Sequence, residues 1–326
     1  MKMEKQNESI VDIRNLWVQY ITDRDTMYAV NGIDLTLRKG ESHGLVGETG
    51  AGKTTTALSI MQLIPDPPGV IVDGEIFYKG KNIIFNSEKE NEHIRGNGIS
   101  MIFQDPMTAL NPIMTIGNQL VEVVVKHKKA SKKEAREAAI SMLEQVGVKR
   151  DRFNDYPHQL SGGMKQRVVI AMALLCTPEV LIADEPTTAL DVTIQAQVLD
   201  IINNLIKKMD MSMLLITHDL GIVAETCDRV SIMYAGEIVE TGTVRDVFKY
   251  TKHPYTRGLF DSIPKLDEDS EMLMPIEGQT PNAAALPSGC KFHPRCKYCR
   301  DICKTEVPPT RGENGHLFKC HFDNFK

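Results

Sequence analysis

At 326 residues, with an apolar fraction of 42% and a charged fraction of 25%, the sequence has the make-up of an ordinary folded protein, long enough for one large domain plus a smaller one, or for two domains. Its formal net charge of −5 leaves no basic footprint for nucleic acid, so a partner of that kind is not expected. The longest uninterrupted apolar run, Val168 to Cys176, falls far short of the roughly 20 residues of a membrane-spanning helix. The opening MKMEKQNESI lacks the apolar stretch of a signal peptide, and the expectation is a chain that stays in the cytoplasm and serves a membrane machine only by docking onto other chains.

Residues 9–46 read as strands: Ile10, Val11 and Ile13 begin one, and Ile33, Leu35 and Leu37 alternate with polar residues in another. Ser42 to Val46 leads into a Gly-rich turn, and a helix follows from Lys53 to about Leu63, stopped by Pro65, Pro67 and Pro68. Gly74 to Asn82 resumes strand and turn. Residues 105–160 form a helical insert, in which Ser131 with Glu134 makes a capping-box pattern for a helix to Val146 and Gly147 stops it. Its apolar face is predicted at Ala135, Ala138, Ala139, Met142, Leu143 and Val146. The basic run Lys126, Lys128, Lys129, Lys132 and Lys133 fits either phospholipid binding or a solvated loop and helix start.

From residue 161 strands and helices alternate. A helix from Gly163 to Cys176 precedes the β-branched strand Val180 to Ala183, and a helix across Ile194 to Met209 precedes the strand Met213 to Thr217. Val230 to Met233 and Glu237 to Glu240 form a hairpin around Ala235-Gly236. After Thr243 the pattern turns irregular and Pro-rich, which sets the expected boundary between residues 1–243 and 244–326.

Gly47-Glu48-Thr49-Gly50-Ala51-Gly52-Lys53-Thr54 fits the P-loop pattern between a strand and a helix. Its glycines permit a tight turn whose N–H groups surround phosphate oxygens, and the helix N-terminus adds a positive dipole end, with Thr55 next along it. Lys53 is placed to reach the β- and γ-phosphates of ATP and Thr54 to ligate Mg²⁺. Val180 to Glu185 supplies the complement: Asp184 ends a buried strand where it can hold Mg²⁺, and Glu185 follows to orient and deprotonate a water. A buried carboxylate pair is costly without a cation nearby.

Leu160-Ser161-Gly162-Gly163-Met164-Lys165-Gln166-Arg167 resembles the ABC signature motif, Gln104 the Q-loop residue, Leu190-Asp191 the D-loop and His218 the switch histidine. Tyr20 lies where an aromatic residue stacks on adenine, or is simply a packed strand tyrosine. Over residues 10–243 the set resembles the ABC ATPase superfamily. The resemblance implies an α/β P-loop NTPase with an antiparallel β subdomain and a helical signature subdomain. It assigns catalysis to Glu185, His218 and Gln104, and Mg²⁺ to Thr54, Gln104 and Asp184. Ser161, Gly162, Gly163 and Gln166 would serve a neighbour's ATP, with Asp191 beside them, so the chain would act as half of a dimer.

Met164 and the run Thr187 to Gln197 are similar to the oligopeptide/dipeptide importer branch, and His253-Pro254-Tyr255-Thr256 resembles the segment for which that branch's C-terminal extension is named. Translation-type and DNA-repair relatives carry a second ATPase half or a long coiled coil that this sequence lacks, and the cysteine tail argues against an exporter. The resemblance implies a peptide-import ATPase on the cytoplasmic face of the membrane. Its partners would be a second, non-identical ATPase chain, two permease subunits and, through them, an extracytoplasmic substrate-binding protein; nickel or other solute importers of the branch are the alternative. Of the seven cysteines, Cys290, Cys296, Cys303 and Cys320 resemble the extension's cysteine pattern and imply a [4Fe–4S] cluster. The gap from Cys296 to Cys299 also suits structural Zn²⁺, with His293, His316 and His321 near in sequence.

Overall fold

The computed structural model describes residues 8–188, 190–262 and 276–323, so residues 1–7 and Ala189 of the Thr187–Gln197 run lie outside the described residues. In chain order the elements are β1 (Ser9–Ile21), β2 (Thr26–Arg38), β3 (Ser42–Val46), α1 (Lys53–Ile60), β4 (Gly69–Tyr78), β5 (Lys81–Asn82), α2 (Glu88–Ile94), β6 (Ile99–Ile102), α3 (Pro106–Ala109), α4 (Ile116–Lys128), α5 (Lys132–Gln145) and α6 (Gly162–Leu174). There follow β7 (Val180–Asp184), α7 (Val192–Met209), β8 (Ser212–Thr217), α8 (Leu220–Thr226), β9 (Arg229–Tyr234), β10 (Glu237–Thr243), α9 (Val244–Lys249), α10 (Pro254–Asp261), α11 (Asp301–Thr305), β11 (Thr310–Glu313) and β12 (His316–Lys319). They divide between two compact units. The first comprises Met1–Ile10, Leu37–Glu41 and Phe85–Leu215, the second Val11–Thr36, Ser42–Ile84 and Ile216–Lys326.

In the first unit β6 and β7 pair in parallel, Ile99 opposite Val180 through Ile102 opposite Ala183. Every residue of both strands is buried, as expected of parallel strands covered on both faces. Helices α4 and α5 pack together over Phe153, which lies so close to Gly117 that a Cβ there would come within 2.3 Å of its ring. The capping box at α5 is present: Ser131 accepts from Glu134 N, and Glu134 Oε2 accepts from Ser131 N at 2.9 Å. Ala138 is exposed and Ile140 takes the buried place, because the helix turns its 135/139/142/143 stripe inward.

Helix α4 lies in the stretch expected to be helical, with bounds that its residues do not mark, since the Val123, Val124 and Val125 run lowers helix propensity. Thr115 caps it, and Lys126 and Lys128 sit in its last turn, where cations meet the negative end of the dipole.

In the second unit one sheet has the order β2-β1-β4-β5, with β1 and β4 antiparallel. The other runs β11-β12-β10-β9-β3, with β3 parallel to β9 from His43 opposite Arg229 to Val46 opposite Ile232. The β9–β10 turn places Ala235 (φ 48°) and Gly236 (φ 80°) in the left-handed region, the geometry of a tight hairpin. The tail repeats it at Asn314 (φ 53°) and Gly315 (φ 79°) between β11 and β12. Strand β12 then adds to β10, with Glu240 opposite Phe318. Helix α1 ends at Ile60, short of Leu63, because Gln62 turns left-handed (φ 51°) ahead of the prolines.

Candidate functional site

In the second unit the Gly47–Thr54 loop joins β3 to α1. Gly47 passes so close to β9 that a Cβ would meet the Met233 carbonyl at 2.2 Å, and Gly52 (φ 102°) so close to β2 that one would meet the Ala29 carbonyl at 2.3 Å. Lys53 is buried and its Nζ donates to the carbonyls of Gly47 at 2.7 Å and Glu48 at 3.1 Å, which sets the ammonium inside the loop. Thr49, Gly50 and Thr54 are exposed; nothing lies within 4 Å of the Cβ position of Gly50, so the loop's open face is free for a ligand. Ala51 O accepts from Gly236 N at 2.9 Å. Tyr20 is half-buried, its hydroxyl 3.4 Å from Thr55 Oγ1. His218 is exposed just after β8. Glu48 is the member that differs from the sequence reading: its N–H donates to the Tyr255 hydroxyl at 3.0 Å, and its carboxylate pairs with Arg295.

In the first unit Asp184 is 2% exposed at the end of β7. Glu185, next in the chain, has φ 46°, and its Oε2 accepts from Gln104 Nε2 at 3.1 Å and Thr188 Oγ1 at 2.9 Å. A left-handed non-glycine residue costs about 1–3 kcal/mol and persists only where its surroundings fix it. Ser161 caps α6, and Ser161, Gly162 and Gly163 open onto a cavity of about 710 Å³ lined also by Arg167 and Asp191. Asp191 caps α7, accepting from Ile194 N at 2.9 Å. Gln166 lies apart from that opening: it is 1% exposed, and its amide donates to the Pro186 carbonyl beside Glu185.

The tail of the second unit holds a cavity of about 380 Å³ lined by Cys290, Cys296, Cys299, Cys303 and Cys320, with His253 and Phe292 in its wall. Gly289 (φ 60°) permits the close approach: a Cβ would meet the Cys303 carbonyl at 2.4 Å, and Cys290 N donates to that carbonyl at 2.9 Å. Burial pushes the Cys290 thiol up to about 12, opposed by the Phe292 N–H and reinforced by Cys296, Cys303 and Cys320. Burial likewise raises Cys296 to about 11 and raises Cys320. Among the described residues, no three His, Cys, Asp or Glu side chains are gathered as they stand around a single ion. His316 points instead to Glu240, 2.8 Å away, and His321 to the Glu306 carbonyl.

Sequence reasoning overlooked Arg295 and gave Tyr255 only as part of a motif. The signal available was local, an arginine directly before Cys296 and a tyrosine after His253-Pro254, but nothing in the sequence tells which loop they reach. His253 is fully buried, burial lowers its pKa to about 3, and its neutral Nδ1 accepts from Tyr255 N at 3.1 Å, starting α10.

Residues 30–188 match the ABC transporter family and residues 239–303 the oligopeptide/dipeptide transporter C-terminal region. The chain is 49% identical over 316 residues to the dipeptide transport ATP-binding protein DppD of Bacillus subtilis, covering 96% of this chain and 94% of that protein. It is 49% identical over 303 residues to the oligopeptide transport ATP-binding protein OppD of the same organism, covering 92% and 85%. Among solved structures, the dimeric ATP-binding cassette MJ0796 in a post-hydrolysis state with ADP and Pi bound superposes with a TM-score of 0.65 at 26% identity, covering 72% of this chain and 99% of that one. Phosphate loop, signature helix and tail thus occur together in one chain, which belongs to the ABC transporter ATPases that carry the oligopeptide/dipeptide transporter C-terminal region.

Proposed function

We propose that this chain binds and hydrolyses ATP to power import of oligopeptides or dipeptides through a membrane ABC transporter. The observation that carries the reading is an ordered phosphate loop, with Lys53 held on its carbonyls, in a chain similar from end to end to peptide-transport ATP-binding proteins. Residues 1–243 would form the ATPase domain and 244–326 the extension. In the reaction, the N–H groups of Gly50 to Thr55 and the Lys53 ammonium hold the phosphates. Tyr20 packs on the adenine. Mg²⁺, when bound, neutralises phosphate charge; Thr54, Asp184 and Gln104 are the residues that would hold it. Glu185 orients and deprotonates the water, with His218 at the γ-phosphate. Ser161, Gly162 and Gly163, at a helix N-terminus with Asp191 alongside, serve the nucleotide of a neighbouring chain.

Partners in this reading are a second, non-identical ATPase, two permease subunits and, through them, a substrate-binding protein, with the chain on the cytoplasmic face of the membrane. No helix of the described residues is long and apolar enough to cross a membrane. The tail cavity supports a thiolate-bound metal centre. Five thiols, those of Cys290, Cys296, Cys299, Cys303 and Cys320, line a space larger than one ion fills, and buried thiolates need a cation beside them. A [4Fe–4S] cluster is the group that best suits that space, and Cys290, Cys296, Cys303 and Cys320 would hold it.

The test is turnover with and without partners. The isolated chain should hydrolyse ATP slowly, and the complex with permease and second ATPase, in vesicles, should be stimulated by its binding protein loaded with peptide. Full turnover by a strict monomer, or stimulation by a nickel chelate and by no peptide, would overturn the reading.

A further inference from the structure

The phosphate loop is tied to the tail at its second residue. Arg295 forks onto the Glu48 carboxylate, Nη1 to Oε2 at 2.7 Å and Nη2 to Oε1 at 3.1 Å. The arginine side chain is 6% exposed and the glutamate 27%, so the pair is partly shielded from water. The remaining guanidinium donors are also engaged: Nε donates to the Glu277 carbonyl at 3.0 Å, Nη2 to the Ile276 carbonyl at 3.3 Å and Nη1 to the Tyr234 hydroxyl at 3.5 Å. A few ångströms away the Tyr255 hydroxyl accepts the Glu48 N–H, and its ring is wedged between Tyr234 (centroids 4.6 Å apart) and Phe292 (5.4 Å). Neither residue belongs to the nucleotide motifs. Arg295 directly precedes Cys296, and Tyr255 follows His253 and Pro254, which line the cysteine cavity with Phe292.

Two physical consequences follow for a bound nucleotide. A loop that binds phosphate through converging N–H groups loses affinity whenever it samples other shapes, and anchoring its entry from outside removes that loss. The glutamate also brings a negative charge to the mouth of an anion site, where it would oppose ATP unless a cation faces it. Arg295 supplies that cation.

We propose that Arg295 and Tyr255 are positioning residues for the phosphate loop, through which the cysteine-bearing tail sets the nucleotide affinity of this chain. The coupling is reciprocal: whatever the ordered tail does for the nucleotide, the nucleotide does for the tail.

The experiment measures Mg-ATP binding by calorimetry on the full chain, with thermal melting to verify folding. Arg295→Gln should weaken binding about tenfold, because it leaves Glu48 unneutralised. Adding Glu48→Gln to that variant should recover most of the loss, since the offending charge is gone. Arg295→Lys should fall between, keeping the charge without the fork. Tyr255→Phe, which preserves the aromatic packing, should weaken binding severalfold and, in the assembled complex, raise KM with kcat unchanged. Mg-ADP should slow hydrogen exchange of residues 289–299 in the wild type and much less in Arg295→Gln. Wild-type affinity in Arg295→Gln, or a loss that Glu48→Gln does not relieve, overturns the proposal. If Arg295→Gln fails to fold, Tyr255→Phe and Arg295→Lys decide: wild-type affinity in both is the overturning result.

Discussion

In the proposed reaction Glu185 is the residue that acts on water. Its side chain could be assigned from its position after Asp184, but its left-handed backbone and the convergence of Gln104 and Thr188 on one carboxylate oxygen could not, because each depends on residues brought from elsewhere in the fold. Glu185→Gln keeps the shape and removes the base. Turnover in the assembled complex is expected to fall about 10²–10⁴-fold with Mg-ATP still bound, as seen in single-turnover hydrolysis against equilibrium binding. Hydrolysis at the wild-type rate would take Glu185 out of that role.

At the scale of elements, α6 shows how a helix terminus is made into a site. Ser161 caps it, and Gly163 is required because a Cβ there would approach Ile194 on α7 to 2.8 Å. Arg167 fastens the same helix to the end of α5 through the Val146 carbonyl at 3.0 Å and to α7 through Gln197 at 2.9 Å. Ser161→Arg fills the opening with a long side chain. It should lower turnover in the complex about 10²-fold while ATP affinity at this chain's own loop stays as in the wild type; an equal loss of binding would contradict a cradle that faces a neighbour. Elements with strong local signals were legible: the α5 capping box, the buried run of β7 and the Ala235-Gly236 hairpin all stand where their residues predict. The bounds of helix α4 were not, because valine runs favour strand locally and only packing on α5 and Phe153 overrides them. Gln166 faces away from the Ser161–Gly163 opening for a related reason. A motif records spacing, and only the turn of the helix decides that this residue faces inward to Pro186.

For the molecule as a whole, the tail poses the sharpest compositional question. Anaerobic purification followed by metal and sulfide analysis should find about four irons and four sulfides per chain. Serine at Cys290, Cys296, Cys303 or Cys320 should release them, and serine at Cys299 should not. One zinc per chain would replace the cluster with the rival ion, and freshly prepared protein free of both metals would end the proposal of a metal centre. The cysteine spacing could be read from the sequence, whereas the cavity could not, since Gly289 and Cys303 meet only after α11 folds back. The tail hairpin has one more effect, on how the molecule behaves among its own copies. Without β12, strand β10 would end its sheet with an open row of N–H and C=O groups alongside Ile238 and Val239. Such an edge invites a second chain to pair with it. Strands β12 and β11 occupy that edge and replace it with Thr310, Arg311 and Glu313, short and polar. A chain cut after Thr243 would keep its nucleotide motifs and lose its guard against aggregation.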